Sequence, residues 1–457
     1  MNLKVEILLV LVFFSVIVLN KLLWKKERNY NNILIIVMCI CTAINVKIGS
    51  AQPYFDESRS LYIPLAVFVI AIVAITTIKY NSIKVTFDQI ILLIILLSIL
   101  LSYNNGQIKD MSKFCSIVAL YLSIFFIGLI YKNLREYNLK RVLDVFSYMA
   151  IFNGCLSIVQ YITNKKLLIG VFNDTLNYGT GVNIVKRVVG IAGSSNAAGN
   201  LGALLFSITL FNYLRTKKKI HLFAFIVNGI FLGLTLTRIG YLAAFVEVVI
   251  FLLFSGWHIS KTVKKRSVVS WSIFTVLILG LTCGKKIYSV LFSQRGNTTT
   301  SRYNQYYNVF KRIMPNNTFW NGIGVGQYRY YSFQYQKRLV IDIHSQYLNV
   351  LAEQGMFIFI LFIILNVYIF IKALYNTENR LEKAFVISLF IGNLICCNFN
   401  PNQYYTINNL LYYLLMYCYV YKSSKNIGAT SGMIKIKLLN IIDYLKKKVR
   451  MHITRKA

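Results

Sequence analysis

The chain has 457 residues, of which 56% are hydrophobic and only 14% charged, a balance that excludes an ordinary water-soluble domain. Its formal charge of +35 would suit a nucleic-acid binder if it lay on one soluble face, so the placement of the charge decides what it means. The eight cysteines all lie in or beside apolar runs, which argues against a disulfide framework or a structural zinc site.

In chain order, apolar runs of membrane-spanning length lie near 6–24, 31–48, 61–78, 86–103, 114–131, 142–162, 197–214, 220–236, 239–256, 268–283, 356–374, 384–399 and 406–421. The expected fold is therefore an all-α polytopic membrane bundle of about 12–13 transmembrane helices. The first run has no small-residue cleavage site before Lys25 and its heavier positive charge follows it, so it reads as a retained helix rather than a signal peptide.

Basic clusters fall in alternate short loops: Lys21, Lys25, Lys26 and Arg28; Lys79 and Lys84; Lys132, Arg135, Lys140 and Arg141; Arg215 and Lys217 to Lys219; Lys261, Lys264, Lys265 and Arg266; Lys372, Arg380 and Lys383. With the tail from Lys422 they hold 31 of the 50 Lys and Arg, the positive-inside pattern. These loops and the C-terminus are expected in the cytoplasm and the N-terminus outside. No nucleic-acid partner is expected. In the tail, Leu438, Ile441, Ile442, Leu445 and Val449 share one face among lysines, as in an inner-leaflet anchor.

Two outward segments are long, 163–196 and 284–345. In the second, Tyr303, Tyr306, Tyr307, Phe310, Ile313 and Met314 fall on one helical stripe, with Thr300 and Ser301 placed to cap its start and Pro315 at its end. Arg302, Lys311 and Arg312 lie elsewhere on this helix, which is expected to rest in the outer membrane interface. "NGIGVGQY" then sets Gly322, Gly324 and Gly326 at alternate positions, a permissive turn whose strand-and-helix context is too weak for a phosphate loop.

Of the four histidines, only His344 is expected to face outward. It stands in "IDIHSQYLNVLAEQG", where Tyr347, Leu348, Leu351 and Gly355 follow at helical offsets, so it is expected in the first turn of a helix continuing into the next span. Asp342 is placed to cap that helix or hold the ring; Glu353 points to the opposite side. Between 284 and 343 nine Lys and Arg accompany the single acid Asp342, so an anion should dock there, either lipid headgroups or a lipid-borne pyrophosphate. Arg238 lies between two apolar runs, as an anchor or a ligand-facing group, and Glu247 sits deep in the following span. No HExxH, GxSxG, Walker pattern or hydrolase-type carboxylate pair occurs.

Thr237-Arg238, then Ser301-Arg302 before an amphipathic helix, Pro315, "GIGVGQY", and "HSQYLNVLAEQG" ahead of an apolar span together resemble the O-antigen ligase and polymerase family of bacterial membrane glycosyltransferases. The resemblance covers about 187–375, is most specific over 301–360, and includes "RVVGIAGSSNAAGNLG" with Arg187 and Asn196. It implies a C-type glycosyltransferase fold in the bacterial plasma membrane, with an extracytoplasmic site and no metal or other cofactor. It also implies His344, Arg302 and Arg238 as catalytic residues, and Arg187, Asn196, Arg312, Gly322, Gly324, Gly326, Asp342 and Glu353 as substrate-binding. Two departures from the family pattern are Ser345, where Asn is usual, and a longer spacing from Pro315 to Gly322.

The expected organisation is N-terminal spans to 162, central spans over 163–283 with the Arg187 and Arg238 motifs, an outer loop over 284–345, C-terminal spans over 346–421, and a basic tail over 422–457. The implied function is polymerisation of undecaprenyl-pyrophosphate-linked repeat units into capsular, exopolysaccharide or O-antigen polymer. Its partners would be lipid-linked donor and acceptor, membrane lipids, a chain-length regulator and a flippase. A ligase passing the glycan to another acceptor would use the same residues. A polysaccharide transporter is the rival from another class, and no internal repeat favours it. In a cysteine-free background, a single cysteine at Asn173 should react with a membrane-impermeant thiol reagent applied to intact cells, and one at Lys217 should not; the reverse pattern would invert the topology.

Overall fold

The computed structural model describes residues 45–52, 59–77, 85–104, 108–133, 139–168, 172–180, 183–255, 299–317, 319–336 and 341–422. The expected spans 6–24 and 268–283, most of 31–48, and the tail anchor lie outside the described residues. The chain divides into a unit ending at Tyr421 and a second from Lys422, and all the helices below belong to the first.

In chain order these are α1 (Leu65–Thr77), α2 (Phe87–Asn104), α3 (Met111–Asn133), α4 (Leu139–Thr163), α5 (Ser195–Thr216), α6 (Lys219–Thr235), α7 (Arg238–Phe254), α8 (Thr299–Asn308), α9 (Tyr328–Gln336), α10 (Gln346–Gln354), α11 (Met356–Tyr375), α12 (Arg380–Phe399) and α13 (Thr406–Val420). Among the described residues α4, α5, α11, α12 and α3 from Lys113 are long and apolar enough to cross a membrane, and α1, α2 and α6 are shorter apolar helices. The protein is a polytopic helical membrane bundle.

The structure adds two antiparallel hairpins. β1 (Asn45–Gln52) pairs with β2 (Arg59–Pro64), with Val46 opposite Ile63 and Ile48 opposite Leu61. This corrects the runs 31–48 and 61–78, whose facing ends are strands rather than helix. Pro64 supplies the reason: it disfavours helical backbone at Ile63 and starts a helix well, so α1 begins only at Leu65. β3 (Asn177–Thr180) and β4 (Asn183–Lys186) form the second hairpin, inside the outer segment 163–196.

α13 is buried along its whole length, as expected for a helix apolar all round. It packs between α3 and α11. Polar tips buried in such a position need partners. Tyr413 Oη donates to Asn366 Oδ1 at 3.0 Å, and Tyr417 Oη to the buried Asp88 Oδ2 at 2.9 Å. On the other side α7 packs on α12, and α5 on α6 and α7.

Polar contacts sort by end. Asp144 receives Arg215 at 3.1 Å and lies 3.4 Å from His221, while Asn376 donates to the carbonyls of Tyr419 and Val420; all belong to segments assigned to the cytoplasm. Gln327 bonds the turn before α3, Lys113 pairs with Asp342, and Asn200 bonds Asn400 and Asn402; all belong to segments assigned outward. The charge pattern and the packing thus agree on which loops share a side. Replacing Tyr417 by Phe removes the donor to a buried carboxylate and should destabilise the bundle by about 1–3 kcal/mol, read as a lower apparent Tm in detergent.

Candidate functional site

The first part of the site is the turn between α6 and α7. Leu236 takes a left-handed conformation, φ 51°, which closes α6 and reverses the chain within two residues. Thr237 is buried and Arg238 opens α7. Gly199 makes room, because a Cβ there would collide with the Thr237 side chain. Arg187 braces the turn from behind: its Nε donates to Thr235 O at 2.9 Å, and its Nη2 to Thr237 Oγ1 at 2.9 Å and Asn196 Oδ1 at 3.2 Å. Arg187 is only 2% exposed, so it and Asn196 act on Arg238 through the backbone they hold. Gln160 of α4 secures the same segment, accepting from Val189 and Gly190 N–H.

The second part is α8, which runs into a π turn at Val309–Ile313 and a 3₁₀ turn holding Pro315. Thr300 and Ser301 lie inside α8 rather than before it, so neither caps it. The expected apolar stripe also divides: Tyr303 is 69% and Phe310 52% exposed, while Gln305, Asn308, Val309 and Ile313 are buried. A π turn holds more residues per turn than an α-helix, so positions beyond Asn308 rotate off the face that a 3.6-residue period assigns them. The aromatic side faces outward and the polar side faces the protein.

Arg302 is on that inner side, partly buried, with its Nε lacking a hydrogen-bond partner among the described residues. Burial lowers its pKa from the ordinary guanidinium value, so its charge is costly where it stands. Arg238 lies within electrostatic reach of Arg302, and the two repel. One helical step of three residues beyond Arg302, Gln305 clasps the histidine segment. Its Oε1 accepts from His344 N–H at 3.0 Å and its Nε2 donates to Asp342 O at 2.9 Å. The structure thus links Arg238, Arg302 and His344 in one group.

His344 Nδ1 lies 3.1 Å from Asp342 O and 3.5 Å from Gln305 Nε2. The carbonyl can only accept and its contact is the shorter, so Nδ1 carries the proton and, in the neutral ring, Nε2 carries the lone pair. Two expectations need correction. α10 starts at Gln346 with Ser345 as its cap, whose hydroxyl accepts from Leu348 N–H at 3.2 Å, so His344 precedes the helix and Asp342 does not cap it. Nor does α10 continue into the span: Gly355, φ 88°, breaks the chain before α11.

The glycine loop faces α10. Ile323 and Gly324 N–H donate to Ala352 O and Glu353 O, both at 3.1 Å, while Gly326 and Tyr328 N–H donate to the Glu353 carboxylate at 2.8 and 3.0 Å. These donors are engaged within the protein, so Gly322, Gly324 and Gly326 shape a turn, with positive φ at Gly324 and Gly326. Glu353 also accepts from Tyr404 Oη at 3.2 Å, and it is turned to this loop and not to the ring. Asp342 pairs its carboxylate with Lys113 of α3. Arg312 is exposed, 5.9 Å from the Tyr307 ring, and the structure does not bring it to the arginine pair.

Sequence reasoning missed Gln305, Lys113, Gln327 and Tyr404. A readable signal existed for Lys113: with Lys109 it puts positive charge at the outward start of α3, against the sidedness rule. A lone glutamine carries no comparable mark.

The site of this multi-pass helical membrane protein is thus two arginines near a histidine, with the nearby acids turned aside. Residues 222–363 match the family described as O-antigen ligase, a stretch containing Arg238, Arg302 and His344. Through that segment the chain is similar to the O-antigen ligase and polymerase family. No curated protein matches it.

Burial outweighs the two N–H donors and Lys113 and raises the Glu353 pKa from 4.5 to about 7. The folded state therefore holds this proton more tightly than the unfolded chain, and stability should fall as pH rises from about 4.5 through about 7. The apparent Tm should decline over that window, and Glu353→Gln should flatten the decline; an unchanged slope in the variant would rule out Glu353 as its source.

Proposed function

We propose that the protein is a polysaccharide polymerase: it transfers a growing glycan from a lipid pyrophosphate donor to a hydroxyl of the sugar at the non-reducing end of a second lipid-linked repeat unit. The observation that carries this reading is the Gln305 clasp, which sets His344 beside the arginine-bearing helix while Arg302 repels Arg238. Two guanidinium groups held together in a partly desolvated place are stabilised by an anion between them, and a diphosphate offers oxygens to both. Each arginine about 4 Å from a phosphate charge contributes roughly 4 kcal/mol at an effective dielectric of about 20, before desolvation.

In the proposed reaction the acceptor hydroxyl oxygen forms a bond to the anomeric carbon while the bond from that carbon to the pyrophosphate oxygen breaks. The hydroxyl proton passes to His344 Nε2, and the electron pair leaves with the lipid pyrophosphate, whose growing charge Arg238 and Arg302 neutralise. Arg187, Asn196 and Gln305 position these groups. The charge pattern supports placing this on the extracytoplasmic side of the plasma membrane. A chain-length regulator and a flippase belong to the same reading. The match to a family described as O-antigen ligase supports a second reading, transfer of the finished glycan to a different acceptor by the same residues.

Purified protein in liposomes given lipid-linked repeat unit should produce a ladder of sugar lengths. His344→Ala should slow it by about 10²–10⁴-fold, the range for loss of a general base, and Arg302→Ala or Arg238→Ala should abolish it at matched protein levels. A full ladder from the His344 variant would remove the histidine from the mechanism. Transfer to a foreign acceptor without laddering would select the ligase reading.

A further inference from the structure

The first turn of α11 carries a group of three aromatic rings apart from the arginines and the histidine. Phe319 and Trp320 belong to the segment between the π turn and the glycine loop, and Trp320 packs on Phe357 of α11 with 4.9 Å between ring centroids. Phe319 meets Trp320 edge to face at 5.1 Å. The backbone fixes the same segment, because Phe357 N–H, one of the donors left over at a helix start, reaches Phe319 O at 3.0 Å. Gly355 permits this close approach, since a Cβ there would press on the Asn321 backbone. The rings are nonetheless only half covered: Phe319 is 49% and Trp320 61% exposed.

Position along α11 says what lies against them. α11 has 20 residues and rises about 30 Å, the thickness of the hydrocarbon core of a bilayer. Below Phe357, the side chains of Ile360, Ile363, Ile364, Val367 and Ile371 are exposed on one face, an apolar stripe that lipid covers in a spanning helix. Phe357 heads this stripe from the first turn, so the rings packed on it stand where hydrocarbon gives way to headgroups. An indole suits that level, having an apolar body and an N–H that takes a polar acceptor. Lys311 and Arg312, exposed on the π turn that leads into the segment, add positive charge of the kind phosphate headgroups attract.

Exposed aromatic rings in contact with one another mark an interaction surface, and here the depth of the helix beneath them names the partner. We propose that Phe319 and Trp320, stacked on Phe357, are an aromatic anchor seated in the lipid headgroup interface at the Met356 end of α11. The anchor ties the segment joining the π turn to the glycine loop to the membrane surface. This inference rests neither on the transfer reaction nor on which side of the membrane that end faces, and each can fail alone.

The test uses the full chain in lipid nanodiscs with Trp24→Phe, Trp257→Phe and Trp271→Phe, which leaves Trp320 as the single fluorescent reporter. Its emission should be blue-shifted from that of the unfolded chain. Bromines near the headgroup end of the acyl chains should quench it more than bromines near the methyl end, and more than acrylamide in the water. Hydroxyl-radical footprinting of the unaltered chain, read by peptide mass spectrometry, checks the same point without substitutions. Trp320 should oxidise severalfold more slowly than in the unfolded chain, although the protein itself leaves most of it uncovered. Quenching by acrylamide as in the unfolded chain, with no effect of brominated lipid, would overturn the proposal. Strongest quenching by the methyl-end bromines would overturn it too, by burying the ring in hydrocarbon. Protection from acrylamide that appears only when a soluble oligosaccharide is added would replace the anchor with a glycan platform.

Discussion

One planar carboxamide ties α8 to the segment that precedes α10. Gln305 meets the backbone of Asp342 and His344 as another peptide group would, accepting from one and donating to the other. Few side chains offer both roles in one plane at that reach. Its place on α8 matters as much as its chemistry. Arg302 stands three residues earlier on the same helix, so the bond that orients the histidine also sets its distance from the arginine. Tyr303, Tyr306 and Tyr307 lie exposed on α8 before the π turn, and beyond it Ile313 is turned inward.

Electrostatics follow from which charges are withdrawn. The outer segment is strongly basic, and its nearby acids do not neutralise the arginines: Asp342 is taken by Lys113, and Glu353 by the glycine loop and Tyr404. Arg238 and Arg302 therefore repel each other. Arg187 shows the complementary use of the same side chain, since its guanidinium is engaged with the turn that carries Arg238. One arginine is a brace, and the other two stand within electrostatic reach of each other.

The bundle handles polarity in its interior by pairing at the ends. Tyrosines on α13 reach Asp88 and Asn366, and asparagines from α5 and the turn before α13 bond one another.

Hydropathy alone determined the helical membrane architecture and the approximate ends of most described helices, because a bilayer imposes length on any chain that crosses it. The run ending at Pro64 escaped because a hairpin and a helix start read alike by hydropathy. Arg238, Arg302 and His344 stood out as charges in unusual settings, and the family resemblance drew them together. That Arg302 faces Arg238, that His344 precedes its helix, and that Glu353 holds the glycines came only from tertiary structure. Those outcomes depend on hydrogen bonds between residues distant in the chain, and on a local change of helical period that no pattern of apolar residues records.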